Sequence, residues 1–143
     1  LNSTEPSSTL VTLGTYDLNM ESGDNQIMYC WHSVEGYSKF GSYKGNGNAD
    51  GPFVYTGFRP AFLMIKSSGT GNWFMFDNKR AGYNPENYRL AADDNMVEAD
   101  PGESDLSSNG FKMRFTSGNV NGSGTTYIYM AFAEMPFKYA NAR

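Results

Sequence analysis

The stretch AFLMIKSSGTGNWFMFD, residues 61–77, decides the fold. Residues 61–66 are an apolar run with strand composition. GTGN (69–72) is a turn, and WFMFD (73–77) is a return strand. Two such runs around a Gly-containing turn read as a β-hairpin with a loop longer than two residues.

Working outward, PFVYTGFRP supplies an earlier strand at 53–56, cut off by Gly57 and Pro60. TTYIYMAFAE (125–134) carries no charge before Glu134, so its strand, 126–134, is expected to be central and covered on both faces. In GFKMRF (110–115), Phe111, Met113 and Phe115 point one way and Lys112 and Arg114 the other, as in a half-buried strand. IMYCWHSV (27–34) is apolar in both phases of the alternation and reads as a strand covered on both sides. Tyr37, Phe40 and Tyr43 fall three apart. Gly36 and Gly41 interrupt them, which favours a bulged strand or an irregular turn over a helix. Residues 9–18 read as a first strand, 19–26 as a loop, and 88–92 as a short helical turn or strand. Residues 93–105 are acidic and broken by Pro101 and Gly102, so they are expected at the surface. The sequence has no internal repeat and no long segment of helical periodicity.

Composition agrees with this reading. The 143 residues suit one domain. Residues 1–8 are polar and read as an arm or linker, leaving 9–143 as a single β-sandwich domain. Aromatics make up 15% of the chain and charged residues 18%, with 16 glycines. Aromatics supply strands, and Gly and Asn supply turns. A single Cys excludes an internal disulfide and a multi-cysteine zinc site. A net charge of −4 without a basic stripe does not suit the phosphate backbone of nucleic acid. No apolar run approaches the roughly eighteen residues of a membrane span, so no membrane insertion is expected. No signal peptide is visible, and a first residue of Leu is expected of a processed product or a piece of a longer protein.

The chain's only Cys and only His, Cys30 and His32, would share one side of a strand. They lack the further ligands that zinc needs, and free Cys is among the most often buried residues, so the pair reads as core wall. Asn46, Asn48 and Asp50 match the start of a calcium loop, but Gly57 stands where its bidentate Glu belongs, which favours a polar turn. Asp93, Asp94, Asp100, Glu103 and Asp105 read as a solvated acidic loop. Asp77 and Glu134 are the carboxylates a glycosidase pair would draw on, though nothing in the spacing demands it. No nucleophile elbow and no phosphate loop is present. In AGYNPENYRL, the residues Tyr83, Asn84, Asn87 and Tyr88 combine ring faces for stacking on a sugar with amides for its hydroxyls.

Three stretches, WHSVEGYSKFGSYKGNGNADGPFVYTGFRPAFLMIK, NGFKMRF and NGSGTTYIYMAFAEMPF, together resemble an uncharacterised domain of structural and tail-associated proteins of tailed bacteriophages. The resemblance covers most of residues 29–143. It implies a place, the virion, and no catalytic residues.

These readings converge on an all-β fold: a two-sheet antiparallel β-sandwich, jelly-roll or lectin-like, with long irregular loops. The expected function is that of a non-catalytic virion structural protein, a capsid decoration or a tail or fibre component. Its expected partners are other virion proteins, in a homo-oligomer or multivalent array. No cofactor, metal or nucleic acid is expected. The alternative is a host-recognition module that binds cell-surface glycan through Tyr83, Asn84, Asn87 and Tyr88. A glycan-degrading enzyme is the remote third reading.

Overall fold

The computed structural model describes residues 5, 7–12, 27–85, 88–98 and 103–135. The chain divides into two compact units, Leu1–Trp31 and His32–Arg143. The second unit carries eight strands: β1 (Ser38–Lys44), β2 (Phe53–Tyr55), β3 (Pro60–Ser67), β4 (Trp73–Asp77), β5 (Leu90–Ala91), β6 (Ser104–Ser107), β7 (Gly110–Met113) and β8 (Thr126–Ala133). They form a five-stranded sheet, ordered β1-β8-β3-β4-β5, and a three-stranded sheet, ordered β2-β7-β6. Every strand pairing is antiparallel. The fold is an all-β sandwich, with no helix among the described residues.

The hairpin read at residues 61–77 is β3–β4, with Leu63 opposite Phe76 and Ile65 opposite Phe74. These four face inward with Tyr127, Tyr129 and Ala131 of β8. Opposite them lie Val54 of β2, Leu106 of β6, and Phe111 and Met113 of β7. Full burial of each large apolar side chain contributes roughly 1.5–3 kcal/mol, so this layer holds the two sheets together. The register of β3 against β8 shifts between Pro60 and Phe62. That irregularity lets a proline, which has no N–H to donate, open a strand of the large sheet. Gly110 is needed where β7 passes β2: a Cβ there would lie 2.2 Å from the Val54 carbonyl oxygen.

Two tyrosines tie loops to the core. Tyr43 stacks on Tyr127 at 5.2 Å, and its hydroxyl donates to the Val120 carbonyl at 2.6 Å. Burial, first of all, pushes the Tyr43 phenol far above its ordinary value. The Tyr127 hydroxyl donates to the Gly118 carbonyl and accepts from the Gly122 N–H. Both rings therefore fill the sandwich while their polar ends satisfy turns that would otherwise leave backbone groups unpaired.

Four expectations are corrected. Residues 27–33 form no strand, and Ile27, Met28, Tyr29, Cys30 and Trp31 are exposed. Cys30 is therefore not core wall. The pairing stops at Val34, which bridges only to Ser38 across a tight turn. The Val34 N–H donates to the Ser38 side chain as well as to its carbonyl, and the Phe40 N–H donates to Ser33 Oγ. These serine hydroxyls take bonds that a continuing ladder would have made. Second, β8 is central as expected, but its outer face is not fully covered: Ile128 is 47% exposed. Third, the acidic stretch expected at the surface runs into the start of β6, and Glu103 just before that strand is fully buried. Pairing with β7 across the short turn at Ser108 and Asn109 makes that strand, although Leu106 is its one apolar residue. Fourth, β7 ends at Met113, so Phe115 leaves the core side and is exposed.

Candidate functional site

Of the residues expected to bind sugar, Asn84 is engaged by its own chain. The Asn84 amide bonds both backbone groups of one β6 residue: its Nδ2 donates to the Leu106 carbonyl at 3.0 Å, and its Oδ1 accepts the Leu106 N–H at 2.8 Å. It thus stands in for a neighbouring strand at the edge of the small sheet. Tyr83 is strongly exposed and Tyr88 less so. Asn87 lies outside the described residues.

The residues that suggested calcium form turns. Asn46 Oδ1 accepts the Asn48 N–H, and Asn48 Oδ1 accepts the Asp50 N–H. Asn121, fully buried, joins this loop to the one before β8. Its amide nitrogen donates to the carbonyls of Asn48 and Phe115, and its oxygen accepts the Asn46 N–H. Asp50 pairs with Lys112 at 2.5 Å; the hydrogen bond first, and then the charge, hold its carboxyl below the usual range.

The other carboxylates singled out in the sequence also have protein partners, apart from Asp100, which lies outside the described residues. Asp77 pairs with Arg80 and accepts the N–H groups of Lys79 and Arg80. Glu134 contacts Arg59 at 3.5 Å and accepts from Asn78 at 2.8 Å. Asp93 accepts the Trp73 N–H, Asp94 accepts from Asn72, and Asp105 contacts Arg114. Among the described residues, no three His, Cys, Asp or Glu side chains converge as a metal site would require. Glu103 pairs with Arg89 in the interior; burial raises its carboxyl above the ordinary value and Arg89 opposes that rise.

Two surface hollows stand out among the described residues. The first is on the outer face of the large sheet. A cavity of about 290 Å³ is lined by Phe40, Met64, Trp73, Ile128 and Met130, with Lys66 at its side. The register places Phe40 beside Met130 and Met130 beside Met64, so one row of side chains crosses three strands. The Lys66 ammonium is turned onto the carbonyls of Ser67 and Gly69, both at 2.7 Å. Phe132 extends the patch, with Tyr37 and Phe40 edge-on to its ring at 5.9 Å. The second hollow, of about 280 Å³, lies where the start of β1 meets the end of β2. Ser33, Glu35, Lys39, Tyr55 and Thr56 line it. Sequence reading missed both. The signal for the first was present: residues 61–66 and 126–133 are apolar in both phases, and only one phase faces the small sheet.

A family model for a domain of unknown function, DUF7483, matches residues 1–136. The chain belongs to the DUF7483 family. The DUF7483 match takes in the Leu1–Trp31 unit as well as all eight strands. No curated protein and no solved structure matches the chain. Among the described residues, no helix is long and apolar enough to cross a membrane.

Proposed function

We propose that this DUF7483 domain is a non-catalytic assembly module of a virion, docking a neighbouring protein subunit on the outer face of its five-stranded sheet. The observation that carries this reading is the apolar row Phe40, Met130, Met64 with Trp73 and Ile128 around a hollow, whose one lining lysine, Lys66, is turned aside. Contiguous apolar surface of this kind marks interaction sites. The resemblance of the strand sequences to structural and tail proteins of tailed phages supports the virion as the setting.

Size argues for many weak contacts. Four strands about 4.8 Å apart, each using about five residues at roughly 3.4 Å, give a footprint on the order of 300 Å². A stable standard interface buries about 800 Å² per partner, so one contact through this face is weak. A repeated array on one particle makes such contacts effective through high local concentration.

The test is to purify intact particles, find this chain by mass spectrometry, and locate its sheet by cryo-microscopy. The expected result is a protein neighbour over Ile128 and Met130. Absence from the particle, or a solvent-facing outer sheet in every copy, overturns the reading.

A further inference from the structure

The second hollow has different chemistry from the first and lies across β1 from it. Lys39 and Phe40 are consecutive strand residues, so they point to opposite faces. Lys39 lines the polar hollow and Phe40 the apolar one.

The wall of the polar hollow is tied together by hydrogen bonds. Ser38 Oγ donates to the His32 carbonyl and accepts the Val34 N–H. Thr56 Oγ1 donates to the Phe58 carbonyl at 2.6 Å, and Ser33 Oγ accepts the Phe40 N–H. Ser38 and Thr56 are buried, so these hydroxyls build the floor and are already paired. Gly36, at a φ of 71°, turns the chain at the rim, and a Cβ there would meet no atom within 4 Å, so the approach is open.

Three groups are left facing the space. Tyr55 is 65% exposed. Glu35 and Lys39 line the same hollow, and neither side chain is hydrogen-bonded or ion-paired among the described residues. One ring face, one acceptor and one donor around a hollow suit a ligand with an apolar face and several hydroxyls. The opposite charges of Glu35 and Lys39 offset each other, which selects against a strongly charged ligand. A volume just below the roughly 300–1,000 Å³ of drug-sized sites suits a single small ring. Phe53, two residues before Tyr55 and also exposed, continues the aromatic surface along β2.

We propose that this hollow is a saccharide subsite: a neutral pyranose stacks on Tyr55 while its hydroxyls donate to Glu35 and accept from Lys39. The site stands apart from the assembly face, so either assignment can fail alone.

The test is an NMR titration of the labelled chain with glucose, galactose, mannose and N-acetylglucosamine. At least one sugar is expected to bind at millimolar concentration and to shift the amides of residues 33–39 and 53–57. Tyr55→Ala is expected to weaken that binding about tenfold, the loss of one stacking contact, with native shifts elsewhere. Glu35→Gln, which keeps an acceptor oxygen but leaves Lys39 unopposed, is expected to weaken it less. No shift in these segments with any of the four sugars overturns the proposal. So does binding of undiminished affinity in a folded Tyr55→Ala variant.

Discussion

Arg89 holds the fully buried carboxylate of Glu103 while its guanidinium lies 4.2 Å over the ring of Phe74. One side chain thus ties the residue before β6 to the inner face of β4. Glu103 Oε2 and Arg89 Nε have no hydrogen-bond partner among the described groups, so the ion pair is their main compensation. Breaking a buried pair leaves an uncompensated charge and costs about 3–5 kcal/mol. Arg89→Met is therefore expected to lower stability by that amount in urea denaturation. Adding Glu103→Leu is expected to recover most of the loss, because removing both charges is nearly neutral.

The single variant also predicts a pH profile. Burial raises the Glu103 carboxyl, and Arg89 is what opposes the rise. Without Arg89 the folded state keeps its proton to higher pH than the unfolded chain does. Stability is then greatest below the ordinary carboxylate range and falls as pH rises through the folded-state value. Denaturation midpoints of Arg89→Met across the acid range are expected to decline with rising pH more steeply than those of the unchanged protein.

Asn121→Leu is expected to destabilise the fold without touching either hollow. It removes the amide that bonds the backbones of Asn48, Phe115 and Asn46 through three part-buried hydrogen bonds. Each such bond contributes about 0.5–1.5 kcal/mol. A drop of at least about 2 kcal/mol in unfolding free energy, with unchanged ligand contacts in any surviving folded protein, is the expected outcome.

Cys30 is exposed, so its thiol is expected to react with a disulfide reagent in the native protein at a rate close to that in denaturant. A native-state rate slower by orders of magnitude contradicts the exposure seen at residues 27–31.

The contrast between β4 and residues 27–33 explains what the sequence made legible. Trp73–Asp77 was readable because a turn signal and a partner run stood next to it, and its strand has the expected bounds. IMYCWHSV has as strong a composition, but a strand also needs a pairing neighbour. Which serine hydroxyls would intercept the ladder is a matter of three-dimensional placement that periodicity does not encode. The reverse holds for Ser104–Ser107: its composition is poor, and its strand exists because β7 supplies the bonds. At the sites, the Asn84 amide was read as a partner for sugar hydroxyls, and the structure shows it bonding Leu106 of its own chain. Residue type announces a capacity, and the fold decides who uses it. The hollow beside Tyr55 joins residues about twenty apart in sequence that share no motif, so no spacing pointed to it.

The two faces of β8 give the last prediction. Ile128 points to the outer hollow and is 47% exposed, whereas Ala131 faces the core with no exposure. Ile128→Lys places its charge in water beside Lys66 and is expected to change stability by no more than about 1 kcal/mol, the span of strand propensity. Ala131→Lys forces an ammonium and its long stem into the packed layer between the sheets and is expected to prevent folding. Urea denaturation separates these outcomes. Light scattering at high protein concentration then reads the assembly face. If the face docks protein, Ile128→Lys removes concentration-dependent association, or particle incorporation, while the fold stays native. A folded Ile128→Lys chain that still enters particles at the normal level moves the docking surface elsewhere. Retention of folding by Ala131→Lys would contradict the burial of the inner face itself.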